Sequence, residues 1–172
     1  RPEVRAVCDY LEAHCDRRIT LEQLSTLAGL SKYHLLRCFT RQKGITPYRY
    51  LETVRVNRAR ALLEQGVSLA VVTLGARGCK AFAPGLSLEK PTYDTKVKDT
   101  TGSGDSFFGA LLARIIQSGK RPEQLSPEEL GDFLDFANAA GSTCATKTGA
   151  IPALPTTQEI EACRRNVPLL HV

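Results

Sequence analysis

The stretch that decides the fold of the second part of the chain is Asp99-Thr-Thr-Gly-Ser-Gly-Asp105-Ser-Phe-Phe-Gly109. Gly102 and Gly104 permit a tight turn, and apolar residues at helical spacing follow. Such a turn exposes backbone N–H groups at the start of a helix, which suits the negative charge of a phosphoryl group. Asp105 lies where a general base could take a proton from an attacking hydroxyl. The pattern predicts an anion site beside a carboxylate, although the same turn can be purely structural.

Three more motifs accompany this stretch in the second part of the chain. They are Val71-Val-Thr-Leu-Gly-Ala-Arg-Gly78, Ala137-Asn-Ala-Ala-Gly141 and Thr148-Gly-Ala-Ile-Pro-Ala-Leu-Pro155. Taken singly, each has an ordinary structural explanation, since Thr73-Leu-Gly75 can end a buried strand and Asn138 can bridge helices without a ligand. Their shared order is what favours function.

From Val71 to about Cys163 these motifs resemble the PfkB family of sugar kinases, which includes ribokinases and fructokinases. The resemblance implies that Asp105 is the catalytic base and that the turn at Gly102, Ser103 and Gly104 is an anion hole for the transferred phosphoryl group. It also implies contacts with the nucleotide, from Thr73, Gly75, Gly78 and Asn138.

The resemblance further implies the cofactors and leaves the sugar open. We expect ATP with Mg²⁺, and a monovalent cation such as K⁺ at Asp99 and Thr101. The wording of the motifs is nearer to fructokinases than to other relatives, but it does not name the sugar.

Composition excludes several classes of protein. Of the 172 residues, 42% are apolar and 24% are charged, as in ordinary globular proteins. The sequence contains no run of about 18 apolar residues, so it predicts no membrane span. Its first residues lack an apolar signal core. The six cysteines contain no C-x-x-C pair, which favours reduced thiols in a cytoplasmic protein over disulfides or zinc.

Positive charge is concentrated in the first part of the chain. Residues 1–70 hold 12 Lys and Arg against 7 Asp and Glu, whereas residues 71–172 hold 11 of each kind. The excess is expected if only the first part meets nucleic acid.

The first part reads as four helices with recognisable ends. Thr20 and Ser31 are N-cap candidates, Gly29-Leu30 breaks one helix, and Thr46-Pro47 begins another. The predicted helices run from Val4 to near His14, from Leu21 to Ala28, from Ser31 to about Lys43, and from Thr46-Pro47 to about Gln65. The second and third form a helix-turn-helix pattern.

One face of the third predicted helix is the candidate DNA-contacting surface. Leu35, Cys38 and Phe39 share the face expected to be core. The outward residues that we single out are Lys32, Tyr33, Leu36, Arg37, Arg41 and Lys43. If this helix enters the major groove, Arg37 suits guanine while Lys32, Arg41 and Lys43 suit phosphates. The alternative is a solvated basic face.

Leu24-Ser-Thr-Leu-Ala-Gly-Leu-Ser31, Tyr33-His-Leu-Leu-Arg-Cys-Phe39 and Gly44-Ile-Thr-Pro47 resemble the first helix-turn-helix of AraC/XylS-family transcription regulators. The helix that follows resembles their linker helix. The resemblance implies base contacts from positions matching Tyr33, Leu36 and Arg37. Leu36 departs from the polar residue often found there.

The two resemblances meet near residue 70 without a linker rich in proline or serine. We therefore predict a mixed α/β chimera, with an all-α helix-turn-helix segment over 1–70 and part of a doubly wound, ribokinase-like parallel sheet over 71–172. The second segment should hold strands near 71–74, 79–83, 86–88 and 96–99. Parallel strands are normally covered on both faces, so a bare sheet edge would promote self-association unless the first helices cover it.

Three functions remain open at this point. The first is a chimera with residual, largely non-specific binding of double-stranded DNA and residual nucleotide binding, without efficient catalysis because a sugar-binding half and lid are missing. The second is an ATP-dependent sugar kinase with Asp105 as base. The third is a fold-recombination product without a biological task.

Overall fold

The computed structural model describes residues 2–171. They form two compact units, Arg1–Ala61 and Leu62–Val172. This division falls before residue 70, where the change in sequence character placed the boundary between the segments. No helix in residues 2–171 is both long enough and apolar enough to cross a membrane.

The first unit is built from helices, at the positions that the sequence predicted. The helices are α1 (Pro2–Ala13), α2 (Leu21–Ala28), α3 (Lys32–Lys43) and α4 (Pro47–Glu64), the last of which continues past the end of the unit. Their apolar faces share one core, formed by Val4, Val7, Leu11, Ile19, Leu24, Leu35, Phe39 and Leu51 together with the smaller Cys8 and Ala28.

Local capping fixes the ends of α2 and α3. The Thr20 hydroxyl accepts the backbone N–H of Gln23 at 3.2 Å, and the Gln23 side chain accepts that of Thr20 at 2.8 Å, a capping box. The Ser31 hydroxyl caps α3 by accepting the backbone N–H of His34 at 3.3 Å. Gly29 and Gly44 end the two helices with φ of 62° and 75°, a left-handed conformation that costs glycine little. The N-caps and breaks predicted for these helices are confirmed.

The second unit combines a small sheet with three helices. Its elements are β1 (Ala70–Thr73), β2 (Cys79–Ala83), β3 (Leu86–Lys90), α5 (Ser103–Ser118), α6 (Pro127–Ala145) and α7 (Thr157–Asn166). Helix α5 packs on α6, where Phe107 and Leu111 meet Leu134 and Ala137 in one core. Ser106 links the helices further, because its hydroxyl donates to the Ala140 carbonyl at 3.2 Å.

The prediction of a parallel sheet is wrong for the described residues. The strands lie in the order β1-β2-β3 and every pair is antiparallel. The connections explain the difference: only Pro84-Gly85 joins β2 to β3, whereas parallel neighbours need a crossover of a dozen residues or more. Gly85 makes this hairpin possible with a φ of 71°.

The strand predicted at 96–99 is also wrong. Within residues 2–171 this segment is irregular, and its backbone pairs with a helix end instead. The N–H groups of Lys98 and Asp99 both donate to the Ala145 carbonyl, at 2.8 and 3.2 Å. These two bonds hold the segment at the carboxyl end of α6. The turn before α5 follows directly in the sequence.

Candidate active site

A cavity of about 510 Å³ lies within the second unit. Its wall comes from five stretches of the chain: the turn after β1, the segment after β3, the start of α5, one face of α6 and the segment after α7. The lining residues include Thr73, Gly75, Gly78, Thr92, Tyr93, Thr95, Val97, Ser103, Gly104, Phe107, Asn138, Gly141, Ser142, Ala145 and Leu170.

The cavity brings together most of the residues predicted to contact a nucleotide or a phosphoryl group. Thr73, Gly75, Gly78 and Asn138 line it, and so do Ser103 and Gly104. Gly102, Asp99, Thr101 and Asp105 are not among its lining residues. Asp105 lies in the first turn of α5 with an exposed side chain, next in sequence to the wall residue Gly104.

The amino end of α5 lacks a side-chain cap, because its N-cap residue is Gly102, with a φ of 79°. A Cβ on Gly102 would lie 3.1 Å from the Cα of Ala150, so the loop that follows α6 also approaches closely here. The Ser103 hydroxyl is buried without a hydrogen-bond partner among residues 2–171. Uncapped N–H groups at a helix start attract anions. This end of α5 can therefore receive a phosphate.

The Asp99 carboxylate joins two loops. One oxygen accepts the Thr101 N–H at 2.9 Å and the other accepts the Gly149 N–H at 3.0 Å. These bonds to Gly149 and Thr101 lower the pKa of Asp99 to about 2, since both stabilise the charged form. Asp99 thus ties the turn before α5 to the loop after α6. The monovalent cation expected at Asp99 and Thr101 stays a prediction.

Asn138 is buried and holds the end of the sheet against α6. Its side-chain nitrogen donates to the carbonyls of Lys90 and Pro91, at 3.1 and 3.0 Å. Gly78 is required at the same junction, because a Cβ there would lie 2.0 Å from the Lys90 oxygen. The turn after β1 is therefore positioned by contacts with β3 and α6.

Sequence reasoning missed the polar residues that complete the wall. The Ser142 and Thr92 hydroxyls lie 2.6 Å apart, and the Tyr93 N–H donates to the Ser142 hydroxyl at 3.3 Å. Ser142 follows Asn138 by one helical turn, so the two share a face of α6. That spacing is a signal that could have found Ser142.

Tyr93 is fixed at both ends. Its hydroxyl donates to the Asp135 carboxylate at 2.9 Å. Burial, followed by this hydrogen bond, raises the pKa of Tyr93 above its usual range. The phenol therefore stays protonated and acts as a structural donor.

Thiol chemistry does not suit this site. Cys79 is buried, and desolvation raises its pKa to about 12. Burial also raises the pKa of Cys144 and of Cys163. A nucleophilic cysteine needs the opposite shift, so the three thiols serve packing.

The described residues, 2–171, contain no group of three or more His, Cys, Asp or Glu side chains arranged to hold a metal ion. Magnesium fits this site in another way, since one or two carboxylates together with substrate phosphates usually hold it. Asp99 and Asp105 are the carboxylates near the amino end of α5.

In the first unit, α3 presents the predicted basic face. Lys32, Tyr33, Arg37, Arg41 and Lys43 are exposed, and Leu36 is half-buried. Tyr33 is 76% exposed, an unusual position for an aromatic ring. Lys32 also forms a 3.2 Å ion pair with Glu22 of α2.

Comparison with known proteins places this architecture in a family. Residues 41–157 match the pfkB family of carbohydrate kinases, and the chain belongs to that family. Fructokinase-1 of Oryza sativa subsp. japonica is 41% identical over 111 residues, which cover 64% of this chain and 33% of the enzyme. A solved ribokinase from Arabidopsis thaliana, complexed with ribose and ATP, is 28% identical with a TM-score of 0.52, over 68% of this chain and 38% of that one.

The first unit has a relative of another kind. The HTH-type transcriptional regulator YbfI of Bacillus subtilis (strain 168) is 62% identical over 65 residues, which cover 38% of this chain and 24% of the regulator. The chain thus spans a third or less of the length of these two curated relatives.

Proposed function

We propose that the second unit binds an adenine nucleotide in the cavity, with its phosphates at the amino end of α5. One observation carries this proposal: the turn after β1, the start of α5 and the face of α6 that holds Asn138 all line the same cavity. Membership of a carbohydrate kinase family and the ATP held by a solved relative support it.

The chemistry follows from the placement of each group. Because the Ser103 N–H already donates to the Thr100 carbonyl at 3.2 Å, the backbone N–H at Gly104 would stabilise negative charge on the transferred phosphoryl group. Asp105, one residue further along, would take the proton of an attacking sugar hydroxyl. Magnesium, when bound with the nucleotide, supplies further charge neutralisation, and K⁺ beside Asp99 would reinforce the same end of α5.

We further propose that the 172 residues by themselves turn over sugar poorly. Phosphoryl transfer depends mainly on positioning and electrostatic stabilisation. The fructokinase match covers a third of that enzyme, and the first unit has a core of its own. An acceptor hydroxyl is then not held in line with the nucleotide.

A negative charge introduced at the anion site tests the nucleotide proposal. Gly104→Asp places a carboxylate in the cavity wall, and a Cβ at Gly104 meets no atom within 4 Å. We expect Mg-ATP to bind at least about tenfold more weakly, since like charges are brought together. Gly109→Asp is the matched control, because it lies on the same helix with equally open space. Calorimetric titration measures both.

Two outcomes would overturn this proposal. One is a wild-type protein that binds no Mg-ATP at millimolar concentration, and the other is equal affinity in the Gly104 and Gly109 variants. The kinase alternative has its own test: sugar-dependent ADP release that disappears in Asp105→Ala would establish turnover and refute our proposal of poor catalysis.

For the first unit we propose weak binding of duplex DNA in the manner of AraC/XylS regulators, largely through phosphates. The exposed basic face of α3 and the likeness to a Bacillus regulator support this. A single helix-turn-helix without a second binding unit should depend strongly on salt.

Gel shifts at about 50 and about 200 mM salt test the DNA proposal, because binding through phosphate contacts weakens strongly over this range. Arg41→Ala and Lys43→Ala should weaken binding to all sequences alike, whereas Arg37→Ala should reduce preference among sequences. Arg5→Ala removes a charge at an exposed position of α1 and serves as control. Tight, salt-insensitive binding to one sequence would refute the proposal. Saturable binding of either DNA or Mg-ATP would exclude the third alternative, that the chain has no biological task.

We also propose self-association through β1, which lies at one edge of the sheet. An edge strand presents unpaired backbone groups to a second copy. Sedimentation velocity over a range of concentrations tests this: a sedimentation coefficient that does not change would exclude it.

A further inference from the structure

Residues Pro168–Leu170, here called the strap, run beside the segment that follows β3. The Leu170 N–H donates to the Thr92 carbonyl at 2.8 Å, and the Asp94 N–H donates to the Pro168 carbonyl at 2.9 Å. Between these bonds, Tyr93 and Leu169 form an antiparallel bridge. Hydrogen bonds on both sides of Leu169 hold the strap in one register.

The strap reaches the cavity through the residues to which it binds. Thr92 and Tyr93 line the cavity, and both bond to Ser142 on α6. Leu170 is itself a lining residue, whereas its neighbour Leu169 is 38% exposed and does not line the cavity. Successive side chains of an extended segment point to opposite faces, which explains the difference.

The side chains that line the cavity differ in size from one part of the wall to another. Helix α6 contributes small groups at Gly141, Ser142 and Ala145. Among the large side chains, Phe107 and Tyr93 belong to buried core clusters, so their size is fixed by packing. Leu170 and Val97 line the cavity outside those clusters, and hydrogen bonds on both sides of Leu169 fix the backbone that carries Leu170.

We infer that Leu170 sets the size of the base that the cavity admits on a bound nucleotide. The inference rests on the nucleotide proposal and deepens it by naming a specificity-determining residue. Ligand pockets are mostly apolar with a few fixed polar groups, and here the strap supplies an apolar wall beside the hydroxyls of Thr92 and Ser142.

The test compares one substitution at two adjacent positions. Leu170→Trp adds bulk inside the cavity, while Leu169→Trp adds the same bulk outside it. The probes are Mg-ATP and Mg-tripolyphosphate, which has no base, titrated by calorimetry. We expect Leu170→Trp to weaken ATP binding at least about tenfold with unchanged tripolyphosphate binding, and Leu169→Trp to leave both unchanged. Circular dichroism and thermal melting check that both variants fold.

A second variant keeps the inference testable if tryptophan prevents folding. Leu170→Ala enlarges the cavity, so at least one ATP analogue with a bulky base substituent should bind better, relative to ATP, than it does to the wild type. Unchanged preference in both Leu170 variants would overturn the inference while nucleotide binding stands. Absence of ATP binding in the wild-type protein would overturn both.

Discussion

The two units carry their candidate binding groups in different ways. In the first unit, the side chains proposed to meet DNA lie on one helix, between Lys32 and Lys43. In the second, the cavity draws on residues from Thr73 to Leu170. A helix face follows from local periodicity and caps, whereas a cavity depends on which distant segments pack together. The first kind of site should tolerate changes outside its helix better than the second.

The largest effect is expected where two distant segments of the second unit touch. Gly78→Ala should lower the free energy of unfolding by more than about 3 kcal/mol, because its Cβ would meet the Lys90 oxygen at 2.0 Å in a left-handed conformation. Gly85→Ala has a φ of 71° but open space around it, so only about 1–2 kcal/mol should be lost. Guanidinium unfolding measures both. Equal losses would show that backbone conformation, not close approach, matters.

A loss of stability of intermediate size is expected at a long-range contact in the first unit. It would show that this unit also depends on contacts between distant segments. Arg55 of α4 donates to the carbonyls of Cys15 and Arg17, both at 2.9 Å. Arg55→Ala should cost about 1–3 kcal/mol, while Arg58→Ala, at an exposed position of α4, should stay within about 0.5 kcal/mol. If the Arg55 variant is as stable as the Arg58 variant, these two long-range hydrogen bonds do not stabilise the first unit.

A smaller effect should appear between α5 and α6. Alanine is a better helix former than glycine, so Gly109→Ala should stabilise by about 0.5–1 kcal/mol. Gly141→Ala should lose this gain, since its Cβ would lie 3.2 Å from the Ser103 oxygen in the first turn of α5. It should also weaken Mg-ATP binding. Thermal melts and titration check this, and a stabilised Gly141→Ala variant with full affinity would contradict it.

The smallest effect is a dependence on pH. Asp99 has a pKa lowered to about 2, and Glu159, paired with Lys147, has one lowered to about 2 as well. A lowered pKa adds stability above the pKa of the unfolded chain, and this is lost as pH falls from about 4 to about 2. Asp99→Asn should make the decline of unfolding free energy over that range shallower. An unchanged slope would show that the two backbone contacts do not persist in solution.

Sequence alone located the helices and several residues of the cavity wall, but not how the cavity is assembled. Thr20 begins α2 and Gly29 ends it by local hydrogen bonding, so the sequence alone predicts where this helix lies. Asn138 was found through its motif, yet its bonds to Lys90 and Pro91 depend on a hairpin that the sequence did not identify as antiparallel. Leu170 carries no local signal, since only pairing with Thr92 brings it to the cavity.

The cysteines are divided between the units in a useful way. Each unit holds three: Cys8, Cys15 and Cys38 in the first, and Cys79, Cys144 and Cys163 in the second. All three in the second unit are buried, while Cys15 and Cys38 are partly exposed. Timed alkylation followed by mass spectrometry would therefore record the opening of each unit separately in the unmodified chain, with no added dye or engineered label.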